Sequence, residues 1–158
     1  MADSLADLEK LGADLIANLG PGPRRRLMSA LSVDMQRANM ARIAAQQNLD
    51  GSPFEPRKPQ TPRERTAPGR LRRKAAAKAM FAKLRRASLL KAAATADEAS
   101  AGFSGRTARI ARVHHEGLRD RVSLRTKATV KYPERQLIGF APGDPARYLD
   151  LILAHVTQ

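Results

Sequence analysis

The sequence contains no cysteine and no tryptophan, and it has no continuous apolar run of 18 residues. Without cysteine, a disulfide framework and a thiolate metal site are excluded. Without a long apolar run, a membrane-spanning helix is not expected. The N-terminal stretch "MADSLADLEKLG" also lacks the basic and apolar regions of a secretory signal. We therefore expect a soluble protein that is made in the cytoplasm and does not contact a membrane.

Large apolar residues are also few. Leu, Ile, Val and Phe together supply 32 of the 158 residues, close to the level below which chains tend toward disorder, and 28 further hydrophobic residues are alanines. This length favours one domain, residues 1–158, but the core of a monomer can only be thin. Part of the stability is therefore expected to come from partner subunits, which predicts an oligomer or a larger assembly.

Positive charge is abundant and unevenly distributed. Residues 56–91 contain thirteen Lys or Arg and only one acid, Glu64, whereas the first 20 residues contain four acids and one lysine. A run this basic is either solvated or faces a negative partner such as nucleic acid or an acidic protein surface. The composition leaves both interpretations open.

The N-terminal half predicts an αα-hairpin followed by an extended basic arm. Near-helical spacing of leucines predicts a helix over residues 4–18, which "GPGP" ends, and a second helix from Pro23 to about Asn48. Five prolines in residues 51–69 predict an arm that reaches outward. Residues 70–87, rich in strong helix formers, predict a basic helix anchored by Phe81 and Leu84. The domain thus divides into a hairpin (4–48), an arm (49–70) and an α+β core (71–158).

The C-terminal half predicts a small antiparallel β-sheet and a closing amphipathic helix. Alternation on both sides of Asp97 and Glu98 predicts a β-hairpin, and Ser104 and Gly117 bracket a predicted helix at 106–116. An irregular stretch, a short strand "TVKY" and a helix from Pro133 to Gly139 follow. The last helix opens at Asp144, and its predicted core face consists of Leu149, Ile152, Leu153 and Val156. The predicted fold class is α+β.

The adjacent residues His114, His115 and Glu116 form the most prominent group of candidate catalytic or metal-ligating side chains. Neighbouring residues on a helix point in different directions, so the two histidines cannot easily hold one ion, and the i, i+4 spacing of metalloprotease helices is absent. No nucleophile motif or phosphate-binding loop is present either. A histidine at a helix C-terminus is favoured by the helix dipole alone. We therefore expect a structural role for all three residues, and no catalytic residue, metal or cofactor.

Four segments in register resemble a known family: "AAQQNLDGSPFEPRKP" (44–59), "KAMFAKLR" (78–85), "AGFSGRTARIARVHHEGLRDRV" (101–122) and "VKYPERQLIGF" (130–140). Together they resemble the virion-morphogenesis or tail-completion proteins of contractile-tailed, Mu-like phages. The resemblance covers nearly the whole chain. One departure is "AAATADEASAGF" (92–103), which is richer in alanine than the β-branched strand expected there.

The resemblance implies a non-enzymatic structural protein at the head-proximal end of the tail, assembled in the host cytoplasm. Such proteins look like rings, here a hexamer, that end tube and sheath growth and present a surface to the head connector or neck proteins. The implied partners are further copies of the chain, tail tube or sheath proteins, and DNA in the lumen through non-specific contact. The basic residues expected at an intersubunit or DNA-facing surface are Arg57, Lys58, Arg63, Arg65, Arg70, Arg72, Arg73 and Lys74.

A second hypothesis of a different class uses the same charge. The chain could act as a free nucleic-acid-binding protein through residues 57–91. Nucleic-acid affinity falls steeply with salt concentration because binding releases counterions, whereas a ring held by packed helices persists. We favour the structural assembly protein.

Overall fold

The computed structural model describes residues 2–57, 79–121 and 128–157, and of residues 2–8 it describes the backbone only. The fold class is α+β, as predicted. The elements in chain order are α1 (Ala2–Asn18), α2 (Pro21–Ala45), β1 (Leu90–Ala94), β2 (Ala99–Phe103), α3 (Gly105–His115), β3 (Arg119–Arg121), β4 (Thr129–Lys131) and α4 (Asp144–Val156). No helix in these ranges is long and apolar enough to cross a membrane.

The two N-terminal helices form the predicted αα-hairpin. Leu19 and Gly20 separate them, and Pro21 takes the first position of α2, where its missing N–H costs no hydrogen bond. α2 ends at Ala45, and the C-cap residue Gln46 adopts the left-handed conformation (φ 60°) and donates its N–H to the Ile43 carbonyl. The turn at residues 48–51 follows, as predicted.

The predicted β-hairpin is present, and α2 lies across it. β1 and β2 pair antiparallel from Leu90 opposite Phe103 to Ala94 opposite Ala99. α2 contacts both strands, and the Gln36 side-chain amide donates a 2.6 Å hydrogen bond to the Leu90 carbonyl. The sheet structure differs from the single small sheet that was predicted. β3 and β4 form a second two-stranded antiparallel sheet, and β3 lies in a stretch predicted to be irregular.

The core is small and is assembled from distant parts of the chain, with Ile43, Leu90 and Leu137 fully buried. Phe54 is also buried, so the prediction that the arm reaches outward from Gly51 is wrong at this residue. Residues 58–69 of the predicted arm lie outside the described residues. The buried apolar cluster comprises Ile43, Phe54, Met80, Leu84, Leu90, Ala111 and Leu137.

The predicted basic helix is wrong over residues 79–87, which form successive turns; its first part, 70–78, lies outside the described residues. Phe81 interrupts any helix because its φ is +60°. Its ring packs edge-on against Phe54 at 5.8 Å and against His114 at 4.9 Å. Phe81 and Leu84 do anchor the segment, as predicted. These long-range contacts outweigh the helix propensity of the sequence.

The predicted helix from Pro133 to Gly139 is also wrong, because backbone N–H groups of this segment donate to other parts of the chain. The Arg135 N–H donates to the His114 carbonyl, the Leu137 N–H to His115 Nδ1, and the Gly139 N–H to Asn39 Oδ1. The segment therefore runs between α2 and α3 as an irregular chain. Its core contribution is Leu137.

Candidate functional site

The two terminal helices lie side by side. α1 contacts both α2 and α4, and the Asn18 side-chain amide donates a 3.4 Å hydrogen bond to the Val156 carbonyl near the end of α4. α4 is fixed to α2 by a buried carboxylate, Asp144, which accepts hydrogen bonds from Arg42 Nη1 at 2.9 Å and from the Ala141 N–H at 2.8 Å. The ends of the chain therefore form one surface region.

Large apolar side chains are exposed in this region. On α4, Leu149 is 55% exposed and Leu153 is 53% exposed, and because they are four residues apart they are neighbours on the helix surface. On α1 and just after it, Leu11, Ile16 and Leu19 are also more than half exposed. We call these five residues the terminal apolar face. Surfaces with several exposed large apolar residues are typical of protein-binding sites.

The prediction that α4 packs its whole apolar stripe into the core is therefore wrong for two of its four residues. Ile152 and Val156 are half-buried, whereas Leu149 and Leu153 point into solvent. Only part of the apolar stripe of α4 is therefore covered by this chain. Periodicity alone identified the stripe but could not distinguish the residues that pack within the subunit from those left for another partner.

Acidic residues accompany the terminal apolar face. The exposed residues Glu9 and Asp14 lie on α1, in a 20-residue stretch that has four acids and one lysine. The rest of the chain is strongly basic. One copy of the protein thus presents an acidic, apolar surface on α1 together with basic surfaces elsewhere.

The residues His114, His115 and Glu116 each have a different partner. The His114 ring lies between the rings of Phe81 and Tyr132, with centroid distances of 4.9 and 4.7 Å. His115 Nδ1 accepts the Leu137 N–H at 3.2 Å, and Glu116 accepts a 3.0 Å hydrogen bond from Arg112. In the described ranges, no three His, Asp or Glu side chains are grouped so that they could hold a metal ion.

Burial lowers the pKa of His114, and the positive charges of Arg135 and Arg57 lower it further. The imidazole is thus favoured in its neutral form, as expected for a ring packed among aromatic side chains. A cavity of about 200 Å³ lies beside this region, lined by Phe103, Ala111, His115, Leu137 and others, and it is smaller than typical small-molecule sites of roughly 300 Å³ or more.

Most of the predicted basic contact residues lie outside the described residues. Arg57 is described and exposed, and its charge reaches His114. Arg135, which the sequence did not single out, is buried and holds the start of the arm by donating to the Glu55 carbonyl at 2.8 Å. The predicted residues that are not described are Lys58, Arg63, Arg65, Arg70, Arg72, Arg73 and Lys74.

A second group of basic residues was missed by the sequence reasoning. Arg119, Arg121 and Lys131 are exposed on the β3–β4 sheet. The signal for them was present in the alternating charges of "RDR" and in the short strand "TVK". The first of these segments carries no apolar residue, so the sequence predicts an irregular stretch there.

Comparison with known proteins gives two matches that cover almost the full chain. The phage virion morphogenesis family matches residues 3–157. The chain is 36% identical over 145 residues to tail completion protein S of Escherichia phage P2, and the match covers 91% of each protein. No solved structure matches the chain.

Proposed function

The chain belongs to the phage virion morphogenesis family, and we propose that it is a structural, non-enzymatic virion protein that completes the phage tail at its head-proximal end. The observation that carries this proposal is the match to the P2 tail completion protein along 91% of both chains. The family match at residues 3–157 spans both terminal helices and the core between them. The proposal therefore concerns the whole of this chain.

We further infer that the protein acts as a ring of identical subunits, a hexamer, and that the terminal apolar face contacts a second copy. The core of one chain is small, and the exposed leucines of α1 and α4 are the large apolar residues that a neighbour could bury. The acidic character of α1 complements the basic surfaces of the next copy. A contact between two different patches is heterologous, and such contacts close into a ring when the rotation between subunits allows it.

A ring of this kind would end tail growth by a simple geometric rule. Each layer of a homopolymer presents the same upper surface as the layer below, so growth has no intrinsic stop. A subunit that fits the last layer but offers a different upper face prevents further addition and provides a surface for the head connector or neck proteins. Partners in this scheme are tail tube or sheath proteins below and the connector above.

The experiment is deletion of the gene in the phage or prophage that encodes the chain, followed by electron microscopy of the particles. We expect packed heads together with tails that are overlong, unstable or not joined to heads, and restoration by the intact gene supplied in trans. Normal-length tails attached to full heads would refute the proposal. Altered replication, transcription or DNA packaging would instead support the alternative, a free nucleic-acid-binding protein acting through residues 57–91.

A further inference from the structure

The β3–β4 sheet has two distinct faces. Arg119 is paired with Lys131, Asp120 with Val130, and Arg121 with Thr129. Directly paired residues of an antiparallel sheet lie on the same face, and successive residues of a strand alternate between faces. Arg119, Arg121 and Lys131 therefore share one face with Thr129. Asp120 and Val130 occupy the other.

The face with Asp120 is the one that contacts α3, while Val130 on the same face is 38% exposed. Asp120 is largely buried and forms an ion pair with Arg109 of α3. Tyr132, two residues beyond Val130 and so on the same side, continues the ladder by donating its N–H to the Leu118 carbonyl and packs against His114 of α3. The opposite face points away from α3, and its three basic residues are exposed. We call Arg119, Arg121 and Lys131 the cationic face.

The like charges of the cationic face lower the stability of the β3–β4 sheet. Like charges directly opposite each other, such as Arg119 and Lys131, destabilise a strand pair, and a two-stranded sheet is only marginally stable by itself. The strands contain one carboxylate, Asp120, which lies on the other face. Among the side chains of residues 9–57, 79–121 and 128–157, none forms an ion pair with the three cations. Three positive charges concentrated on one small surface favour an anionic partner.

We propose that the cationic face binds the phosphate backbone of double-stranded DNA without sequence preference. Arg and Lys are the main residues that contact DNA phosphates, and a two-stranded antiparallel ribbon has the dimensions to enter the major groove. The face offers no amide side chain with which to read bases. It also lacks the apolar and aromatic residues that form the centre of most protein–protein interfaces, which favours DNA over an acidic protein.

This inference goes beyond the proposed function, because it assigns a DNA contact to the folded body, separate from the basic segment at 57–91. The two sites can be distinguished experimentally because they share no residue. A chain that completes a tail would place the cationic face toward the DNA that passes through the ring. DNA binding by the cationic face is tested by a separate measurement, which does not depend on tail completion.

The test compares full-length variants for binding to a short random-sequence DNA duplex by fluorescence anisotropy over a series of salt concentrations. Each lost phosphate contact reduces the slope of log affinity against log salt by about 0.9. This slope is negative. We expect its magnitude to be smaller by roughly 2 to 3 in the R119Q/R121Q/K131Q variant than in the wild type. The matched control, R25Q/R26Q/R37Q, removes the same charge from exposed positions on α2 and is expected to keep a slope within about one unit of the wild type.

Two further variants keep the test valid if the triple variant folds poorly. R119K/R121K retains the charge and is expected to bind DNA like the wild type, and K131T alone is expected to lower the slope by about 0.9. Thermal unfolding monitors the fold of each variant. An unchanged slope in both R119Q/R121Q/K131Q and K131T, or an equal decrease in the α2 control, would overturn the inference. So would loss of binding to tail tube protein with unchanged DNA binding, since the cationic face would then be a protein contact.

The inference and the proposed function fail in different experiments. Normal tails in the gene deletion would refute tail completion but leave the DNA measurement untouched. Conversely, a cationic face without DNA affinity would leave the deletion phenotype intact.

Discussion

The side-chain amide of Gln46 forms two hydrogen bonds with the backbone of Met80, 34 residues away in the sequence. Nε2 donates to the Met80 carbonyl at 2.9 Å, and Oε1 accepts the Met80 N–H at 2.6 Å. Gln46 caps the C-terminal end of α2 in the left-handed conformation, and Met80 is buried in the core. One amide thus links the C-terminal end of α2 to a buried residue within the basic segment 57–91.

The first prediction concerns this contact. Gln46→Ala should lower the free energy of unfolding by about 1 to 3 kcal/mol, because the partly buried Met80 N–H and C=O lose their partners. Urea unfolding measures the change. The control is Gln47→Ala, at an exposed neighbouring position, which should stay within about 0.5 kcal/mol of the wild type. Equal losses in the two variants would show that the amide pairing contributes little.

The second prediction concerns Asp144, which is 4% exposed and pairs with Arg42 and Arg147. Asp144→Asn should destabilise the protein by about 3 to 5 kcal/mol, since removing one partner leaves Arg42 buried without its counter-charge. Asp34→Asn, which breaks only the more exposed pair with Arg147, should cost less than about 1 kcal/mol. Chemical unfolding of both variants checks the difference. Comparable costs would contradict the assignment of Asp144 as the main link between α2 and α4.

The lowered pKa of Asp144 predicts how the stability difference between the wild type and Asp144→Asn depends on pH. Burial alone raises the pKa of Asp144, but the hydrogen bonds from Ala141 and Arg42 outweigh it and hold the pKa below the usual value of 3.8. A group with a lowered folded pKa stabilises the protein above its unfolded pKa, and that contribution is lost as the pH falls through the folded pKa. The stability difference between the wild type and Asp144→Asn should therefore be full at neutral pH and shrink below about pH 4.

The third prediction concerns His114. Burial lowers its pKa from 6.5, with Arg135 and Arg57 acting in the same direction and Asp120 opposing them. The unfolded chain then binds the proton more readily, so the contribution of His114 to stability is full above about pH 6.5 and is lost as the pH falls through that value toward the folded pKa. His114→Phe keeps an aromatic ring between Phe81 and Tyr132 and should reduce the fall in thermal midpoint between pH 7.5 and pH 5.5 (about one unit either side of that pKa). A fall of the same size in the wild type and the variant would contradict this origin.

The fourth prediction tests the electrostatic cost of the cationic face without DNA. Lys131→Glu places an opposite charge across from Arg119 and should raise the free energy of unfolding by about 0.2 to 1 kcal/mol. The control is Lys91→Glu, on another two-stranded sheet, where the paired residue is Gly102 and no cross-strand charge is present. Thermal unfolding at low salt gives the comparison. A lower midpoint for Lys131→Glu than for Lys91→Glu would argue against repulsion between Arg119 and Lys131.

Sequence patterns predicted the elements whose stability is mainly local. The helix from Asp144 has an acidic residue and a proline at its start, and the hairpin around Asp97 has alternating small residues, so both patterns are contained within a few turns or residues. Residues 79–87 and 133–139 were predicted incorrectly because distant groups decide their backbone. Phe81 is held between two aromatic rings, and the N–H groups of Arg135 and Leu137 are bound by α3.

The candidate surfaces were only partly predictable for a related reason. The spacing of Leu149 and Leu153 identifies an apolar stripe, but its exposure depends on how far α1 and α2 cover α4. The cationic face depends on the pairing of β3 with β4, which brings Arg119 and Lys131 together across twelve residues of sequence. Neither relationship follows from local periodicity.

The last prediction connects the terminal apolar face to assembly. Leu149→Gln/Leu153→Gln should leave the fold of the subunit nearly unchanged, because both side chains are more than half exposed and surface substitutions usually change stability by less than about 0.5 kcal/mol each. The same change should abolish ring formation, since it removes two neighbouring apolar anchors that a second copy would bury. Light scattering on the purified protein, alone and mixed with tail tube protein, should show a closed oligomer for the wild type and a monomer for the variant.

The matched control is Ala154→Gln, which adds the same polar side chain at an exposed position of α4 that lies about 100° around the helix from Leu153. It should assemble like the wild type, so a defect confined to the leucine variant cannot come from added bulk on the helix. In particles, the leucine variant should reproduce the tails of the gene deletion, because a subunit that folds but cannot close a ring leaves the last layer of the tail exposed to further addition. Normal-length tails joined to full heads in that variant would show that the terminal apolar face is not the contact on which tail completion depends.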